Sequence, residues 1–396
     1  MSPLMQTYAR LDIAFSRGEG VWLFDDKSDA YLDGLSGIAV NTLGHAHPRF
    51  VKELAEQAAT LIHTSNLYQI PLQTMLAERL VSLSGMTNAF FCNSGLEANE
   101  AALKLARLHG HNKGFNCPEI IVFKNSFHGR SIATLSATGN SKVQKGFEPL
   151  VEGFTHLPLN DLSAVEATLR EKEQVSAIFL ESIQGEGGIR PADIAFLKGL
   201  RLLADRHDVL LMLDEVQCGI GRTGRWFAHQ WADIKPDVMP LAKGLGSGVP
   251  IGAVVAHGKA ASLFTPGSHG TTFGGNPLAM RAGLATLAII EDEKLLENAS
   301  ARGQQMKAAL AEAFKGQAAV TDIRGEGLMI GIELDRPCAE IVKLALAAKL
   351  LINVTADRVV RLLPPLTLSA DEASELLNRL VPVIKGFLDK PSSETH

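Results

Sequence analysis

An acid and a lysine follow two apolar runs that are close together in the chain. The first run, Val209 to Leu213, has the length and the Val/Leu/Met content of a strand buried on both faces, and Asp214 and Glu215 come directly after it. The second, Asp237 to Ala242, is a shorter strand pattern that ends at Lys243 and a glycine-rich turn. Ligands of open α/β sheets bind at the carboxyl ends of the strands. We therefore expect both charges at one edge of a sheet.

The segment Cys92 to Glu100 lies between a predicted strand and a predicted helix. Free backbone N–H groups at the start of this helix, together with the positive end of the helix dipole, predict a site for an anion such as phosphate. A simple helix cap by Asn93 or Ser94 is an equally good interpretation of this segment alone.

Taken together, these features favour pyridoxal 5'-phosphate (PLP) as a cofactor. PLP needs a lysine for a Schiff base, an acid that keeps its pyridine nitrogen protonated, and a phosphate site, and Lys243, Asp214 and the Gly95 turn supply them. Phe127 adds an aromatic ring for stacking, and Arg130 a guanidinium for a substrate carboxylate. The loop from His269 to Pro277 adds hydroxyls and open backbone.

The stretch from Gly219 to Gly224 matches the G-x-G-x-x-G pattern of dinucleotide sites and raises the alternative of a nicotinamide-dependent oxidoreductase. That fingerprint normally opens a helix in the first βαβ unit, with an acid about 20 residues further on. Here it lies mid-chain, before Arg225-Trp-Phe-Ala-His. We interpret it as a tight connecting loop.

The composition is that of an ordinary globular protein: 396 residues, 46% apolar and 20% charged. The net charge of -5 gives no general attraction to nucleic acid or to anionic membranes. The four cysteines are far apart and form no C-x-x-C pair, so we expect reduced thiols and no metal ribbon. No basic or apolar leader and no 18-residue apolar run is present, and we expect a cytoplasmic protein.

Apolar runs alternate with helical patterns along the chain, which predicts an α/β fold with a mostly parallel sheet. The predicted strands of this rhythm are Ala89 to Cys92, Ile120 to Phe123, Ala177 to Leu180 and Val209 to Leu213. The main predicted helices are Pro48 to His63, Pro71 to Leu83, Leu96 to His109, Ala192 to Arg206, Pro277 to Asp292, Leu295 to Phe314, Cys338 to Leu350 and Ser369 to Leu388. We expect an N-terminal segment (1–45) that packs with a small C-terminal α+β domain (300–396), and a large cofactor-binding domain (46–299).

Nearly the whole chain resembles the class III (ornithine-type) aminotransferases. The matching stretches are Gly44-His-Ala-His-Pro48, Asn93-Ser-Gly-Leu-Glu-Ala-Asn-Glu-Ala, Phe127-His-Gly-Arg130, Gln184-Gly-Glu-Gly-Gly188, Asp214-Glu-Val-Gln217, Gly221-Arg-Thr-Gly224, Lys243-Gly-Leu and Thr272-Phe-Gly-Gly-Asn-Pro277. The resemblance implies the type I fold of PLP-dependent transferases, a homodimer, and an active site at the subunit interface.

The resemblance also implies roles in cofactor binding. Lys243 would form the Schiff base, Asp214 would pair with the pyridine nitrogen, and Phe127 would stack on the ring. Thr272 would reach the phosphate from the partner subunit. The remaining predicted cofactor contacts are the phosphate turn and the turn after the acid: Gly95, Leu96, Glu215, Val216, and Gln217 near the ring hydroxyl.

For the substrates, the resemblance implies that Arg130 holds a carboxylate of the amino donor, with Thr271 beside it. Glu186 would pair with Arg361 until the oxo acid arrives. Tyr8 aligns loosely with a substrate-binding tyrosine of the ornithine branch.

The similarity is greatest to the branch that acts on N-acetylornithine. It implies transfer of the terminal amino group to 2-oxoglutarate, which gives N-acetylglutamate 5-semialdehyde and glutamate in arginine biosynthesis. Related enzymes that use N-succinylornithine, N-succinyl-diaminopimelate, ornithine or 4-aminobutyrate share the same cofactor machinery and are the alternatives.

Two positions depart from the family pattern. Leu96 replaces the usual threonine of the phosphate turn, so a hydroxyl contact is lost, and we expect cofactor binding weaker by ~1 kcal/mol. Ser182 replaces the usual proline after Glu181 and relaxes that strand end slightly.

Overall fold

The structure is a computed structural model that describes residues 3–390. The strands within this range are β1 (Phe15–Glu19), β2 (Trp22–Asp25), β3 (Ala30–Asp33), β4 (Asn88–Cys92), β5 (Glu119–Phe123), β6 (Phe154–Leu157), β7 (Val175–Glu181), β8 (Ile183–Gln184), β9 (Arg190–Pro191), β10 (Leu210–Asp214), β11 (Val238–Leu241), β12 (Gly252–Ala256), β13 (Val320–Glu326), β14 (Met329–Leu334), β15 (Leu350–Leu351), β16 (Asn353–Thr355) and β17 (Val359–Leu362).

The α-helices between these strands are α1 (Ser36–Ala39), α2 (Pro48–Thr60), α3 (Pro71–Ser84), α4 (Gly95–Asn112), α5 (Ile132–Ala137), α6 (Ser141–Gln144), α7 (Leu162–Glu171), α8 (Ile194–His207), α9 (Pro277–Asp292), α10 (Leu295–Ala313), α11 (Glu340–Ala347) and α12 (Ala370–Leu388). Short 3₁₀ turns cover Ala228–Trp231, Lys243–Leu245 and Gly258–Ser262. No helix of the described residues is both long enough and apolar enough to cross a membrane.

A seven-stranded sheet forms the centre of the molecule, in the order β4-β12-β11-β10-β7-β5-β6. Hydrogen bonding is parallel from β11 to β6, whereas β12 runs antiparallel to both of its neighbours. Every residue of β7 and β10 is buried, as expected for strands covered on both faces. One apolar cluster joins α4 to the sheet, and a second joins α7 and α8 to it. The predicted α/β fold with a mostly parallel sheet is confirmed.

Three smaller sheets lie outside the central one in the described part of the chain, and the smallest is the antiparallel pair of β8 and β9. Strands β1, β2 and β3 form an antiparallel N-terminal sheet, and β15 adds to it in parallel beside β3. The C-terminal sheet has the order β13-β14-β17-β16 and is antiparallel throughout. The pairing of β15 with β3 ties the two ends of the chain together. The domain boundaries at residues 45 and 299 stay a prediction.

Two predicted helices end earlier than expected. The helix from Pro48 ends at Thr60 instead of His63, because Leu61 has an extended backbone with φ -164°. The helix expected from Cys338 to Leu350 covers only Glu340–Ala347. Lys349 has φ +56°, which breaks the helix, and Leu350 then pairs with β3.

Candidate active site

Asp214 is held in one orientation at the carboxyl end of β10. Its side chain is buried, and Oδ2 accepts hydrogen bonds from His128 Nδ1 and Asn99 Nδ2, both at 2.8 Å. Oδ1 accepts from the backbone N–H of Val216 at 3.0 Å. The ring of His128 stacks on Phe179 with 4.1 Å between centroids, so the donor to Asp214 is itself fixed by packing. The carboxylate is therefore preorganised to hold a positive group.

Lys243 follows β11, the neighbour of β10, and begins a 3₁₀ turn with φ +41°. Burial lowers the pKa of its amine; Arg361 lowers it further, while the carboxylate of Glu186 acts in the opposite direction. A lowered pKa increases the fraction of neutral amine, which is the form that acts as a nucleophile or a base. A Cβ at Gly244 would lie 2.6 Å from Thr42 Oγ1, so the turn after the lysine needs a glycine there.

The start of α4 forms a cradle of backbone donors. Ser94 is the N-cap, and its hydroxyl accepts from the N–H of Glu97 at 3.2 Å. Within the described residues, the N–H groups of Gly95 and Leu96 have no protein acceptor. A Cβ at Gly95 would lie 2.6 Å from Val216 Cγ1, so only glycine allows this close approach. The cap and the predicted anion site are thus parts of one turn.

A cavity of about 390 Å³ joins these groups. Eight residues that the sequence singles out line it: Gly95, Leu96, Phe127, Arg130, Asp214, Val216, Gln217 and Lys243. The guanidinium carbon of Arg130 lies 5.7 Å from the ring centroid of Phe127. One space therefore contains a carboxylate, an amine of lowered pKa, free backbone donors, an aromatic ring and an exposed guanidinium.

A buried arginine lies beside this cavity. Arg361 has no exposed surface, and its Nη1 donates to Glu186 Oε1 at 2.6 Å and to Gln217 Oε1 at 3.3 Å. Its Nε donates to Asn353 Oδ1 at 3.0 Å. Burial acts to raise the pKa of Glu186, but the charge and hydrogen bond of Arg361 outweigh it and lower the pKa overall. Glu186 is therefore an ionised partner of Arg361.

The sequence model for the family described as aminotransferase class-III matches residues 5–384. The chain belongs to the class III aminotransferase family. Acetylornithine aminotransferase 1 of Bordetella parapertussis is 57% identical over 387 residues, which cover 98% of each chain. The acetylornithine aminotransferase of Aquifex aeolicus is 49% identical over 389 residues, covering 98% of this chain and 100% of that protein.

Solved structures of class III aminotransferases agree with the fold. The ornithine aminotransferase of Toxoplasma gondii superposes with a TM-score of 0.94 at 31% identity and covers 98% of this chain and 94% of its own. The N-acetylornithine aminotransferase of Stenotrophomonas maltophilia gives 0.84 at 36% identity, covering 96% and 98%. The predicted family, the aminotransferase activity and the PLP cofactor are confirmed.

The cavity of this class III aminotransferase fits PLP. Its free N–H groups suit a phosphate, and Asp214 suits a protonated pyridine nitrogen. Lys243 and Phe127 line the same space. Together these groups supply the phosphate site, the acid, the amine and the aromatic ring that the cofactor requires.

Three predicted site residues lie away from the cavity. Thr271 and Thr272 line a separate groove, where Thr271 Oγ1 accepts from Asn93 Nδ2 at 3.2 Å and Thr272 is exposed. Tyr8 is 72% exposed and lies beside Arg10. A single copy of the chain does not bring these three residues to Lys243.

Glu215 also faces away from the cavity lining. Its buried carboxylate accepts from the backbone N–H groups of Ala228 and His229, each at 2.8 Å, and from the hydroxyl of Ser182 at 3.4 Å. It caps the 3₁₀ turn Ala228–Trp231. In this geometry only the backbone of Glu215, between Asp214 and Val216, belongs to the cofactor turn.

Sequence reasoning missed three polar residues of the cavity: Asn99, His128 and Glu181. Glu181 lies directly opposite Asp214 on β7, and it accepts from the N–H groups of Phe127 and Gly185, both at 2.9 Å. Burial raises its pKa to about 7, His128 opposes this and Asp214 adds to it. The available signal for Glu181 was an acid directly after the apolar run Ala177 to Leu180, the same pattern that identified Asp214.

Proposed function

We propose that this class III aminotransferase moves the terminal amino group of N-acetylornithine to 2-oxoglutarate, giving N-acetylglutamate 5-semialdehyde and glutamate in arginine biosynthesis. The observation that carries the proposal is the ion pair of Glu186 with buried Arg361 at the cavity of Lys243. A reversible pair of this kind lets one site accept a neutral chain end and a carboxylate in turn. Relatives named acetylornithine aminotransferase, 45–57% identical along nearly the whole chain, support the choice of the acyl donor.

Each residue has a proposed role at the bound cofactor. The N–H groups of Gly95 and Leu96 hold the phosphate, and Asp214 keeps a proton on the pyridine nitrogen. Phe127 would support one face of the ring, and Gln217 would lie near the ring hydroxyl. When bound, PLP supplies an electron sink for the carbon that carries the transferred amine.

Lys243 is the proposed general base and acid. Its amine would hold the cofactor in the resting enzyme and, once released by the substrate, would accept on Nζ the proton of the substrate carbon that bears the transferred amine. The lowered pKa favours the neutral amine needed for this step.

Two arginines divide the recognition of substrates. Arg130, which is exposed in the cavity, holds the carboxylate of N-acetylornithine and one carboxylate of 2-oxoglutarate. Arg361 holds the second carboxylate of 2-oxoglutarate after Glu186 moves away. In the first half of the reaction, Glu186 neutralises Arg361, so that the uncharged part of the donor is accepted.

A homodimer with shared active sites is part of the proposal. Thr272 lies in a loop beside exposed apolar side chains, among them Leu67 at 86%, Tyr68 at 70% and Phe273 at 63% exposure. Burial of these side chains against a second copy would bring Thr272 of one subunit to the phosphate cradle of the other. Sedimentation equilibrium tests this point, and a monomer at micromolar concentration would contradict it.

A cytoplasmic location, supported by four free cysteines, is also proposed.

Conversion of the cofactor tests the donor substrate. The holoenzyme is mixed with N-acetylornithine, N-succinylornithine, N-succinyl-diaminopimelate, ornithine or 4-aminobutyrate, and loss of the visible absorbance is followed in the absence of an oxo acid. We expect the highest kcat/KM with N-acetylornithine. A higher value for ornithine or 4-aminobutyrate would refute the proposed donor while leaving the class III activity intact.

A further inference from the structure

Arg361 has two neutral partners besides Glu186. Gln217 and Asn353 each offer a side-chain oxygen, at 3.3 Å to Nη1 and at 3.0 Å to Nε. Glu186 is the charged partner, and its side chain is 37% exposed, whereas Arg361 has no exposed surface. When Glu186 moves away, the two amides are left to hold the guanidinium.

The sheet fixes Asn353 more firmly than loops fix the other two partners. Asn353 on β16 lies directly opposite Arg361 on β17 in an antiparallel pair. Opposed residues of such a pair project from the same face at short range. Glu186 follows the two-residue strand β8, and Gln217 follows β10 in a turn. Asn353 is thus the partner whose position depends least on loop movement.

The hydrogen bond to Asn353 comes from Nε of Arg361 and does not use the two Nη atoms at the outer edge of the guanidinium. Arginine presents five N–H groups in a planar fork, and two parallel bonds from this fork recognise a carboxylate. With Nε bound to Asn353, Nη1 faces Glu186, and Nη2 is buried without a partner among the described residues. The Nη edge therefore remains available for an incoming carboxylate.

The amide chemistry of Asn353 suits this arrangement. A neutral oxygen accepts from Nε and orients the arginine without cancelling its charge, whereas a carboxylate here would compete permanently with the substrate. Asn353 also lines a groove of about 720 Å³ together with Arg130 and Glu186, so it lies on the substrate side of the arginine.

We propose that Asn353 is a positioning residue that holds Arg361 in the geometry for the carboxylate next to the carbonyl of an oxo acid, and so sets the affinity for 2-oxoglutarate. This inference rests on the proposed function only for the identity of the acceptor. It concerns the second half of the reaction, and it can be measured without any amino donor.

Two variants separate orientation from charge. Asn353→Leu keeps the approximate side-chain volume and removes the acceptor, and Asn353→Asp keeps the acceptor and adds a charge. Each holoenzyme is titrated calorimetrically with glutarate, a dicarboxylate that cannot react. Each enzyme loaded with pyridoxamine 5'-phosphate is also reoxidised with 2-oxoglutarate or pyruvate. Asn88→Leu makes the same replacement on β4, where the Asn88 amide donates to Ala261, and serves as a control.

We expect Asn353→Leu to raise the Kd for glutarate and the KM for 2-oxoglutarate about tenfold, the equivalent of ~1.4 kcal/mol. The increase should be larger for Asn353→Asp, because Arg361 then stays neutralised. The KM for pyruvate should rise by a similar factor, because its one carboxylate adjoins the carbonyl, and the Asn88→Leu enzyme should be unchanged. Unaltered glutarate binding and an unaltered KM for 2-oxoglutarate in both Asn353 variants overturn the proposal, and so does an equal loss in Asn353→Leu and Asn353→Asp or a loss for 2-oxoglutarate with none for pyruvate. A failure of wild-type enzyme to use N-acetylornithine affects only the proposed donor.

Discussion

Replacing Glu186 by alanine should invert the balance between the two substrates. Glu186 is the ionised partner of Arg361 at 2.6 Å, and a dicarboxylate must displace it before it can bind the guanidinium. Two unit charges about 4 Å apart attract by ~4 kcal/mol at an effective dielectric constant near 20. Because Glu186 is 37% exposed, solvent screening reduces this attraction. We use ~1.5–3 kcal/mol, the range for a hydrogen bond to a charged group.

Removal of this competitor should lower the KM for 2-oxoglutarate by roughly 10- to 150-fold, which is the same energy expressed as affinity. Glutamate, the product, should compete more strongly with N-acetylornithine by a similar factor, because the carboxylate next to its amino group now meets an unpaired Arg361. Cofactor content should stay the same, since Glu186 belongs to the arginine pair and not to the predicted phosphate turn.

The assay measures KM for both substrates and the inhibition constant of glutamate in the wild type, Glu186→Ala and Glu186→Gln. Glutamine keeps the shape and a hydrogen-bond acceptor but has no charge, so it separates the electrostatic effect from the loss of volume. If glutamate inhibition and the KM for 2-oxoglutarate are the same in all three proteins, Glu186 does not act as the switch. A loss of cofactor in Glu186→Ala would also contradict the reasoning.

Three further predictions concern the cofactor and the buried carboxyl. Leu96→Thr should tighten PLP binding about fivefold, through one added hydrogen bond of ~1 kcal/mol, in an equilibrium dialysis measurement; weaker binding would show that Leu96 contributes through packing. Lys243→Ala should abolish the visible absorbance of bound PLP and all turnover, and a variant that still transaminates would remove Lys243 from its role. Burial raises the pKa of Glu181 from its ordinary value of 4.5 to about 7. Between these two pH values the carboxyl of Glu181 is protonated in the folded protein, whereas it is ionised in the unfolded chain. The free energy of unfolding should therefore fall as pH rises through this window, and Glu181→Gln should flatten that slope in urea titrations at several pH values.

The sequence predicts a strand well where both faces of the strand are buried, because such a strand contains a continuous run of apolar residues. Strands β5, β7 and β10 are examples. It did not predict β12, whose residues Gly252–Ala256 are also entirely buried. This strand follows the lysine turn without a helix and runs antiparallel to its neighbours. The alternation of strand and helix predicts parallel neighbours only, so a reversal of direction cannot be inferred from it.

The candidate site shows a similar division. Residues at strand ends or in a glycine turn, such as Asp214, Lys243 and Gly95, follow from local pattern. Asn99 does not, because it reaches Asp214 only through the packing of α4 against the sheet, 115 residues away in sequence. Thr272 depends on a second copy of the chain in our proposal, and a single sequence contains no signal for that geometry.

The parallel pairing of β15 with β3 has a consequence for how the protein is made. The hydroxyl of Ser36, just after β3, donates to the carbonyl of Leu363, 327 residues later. A ribosome that adds roughly 5–20 residues per second needs on the order of tens of seconds to supply that partner. During this time the N-terminal sheet lacks its last strand, and apolar residues such as Leu32 have no final neighbours. Completion of this sheet must therefore be a late event, which can occur only after almost the whole chain has been synthesised.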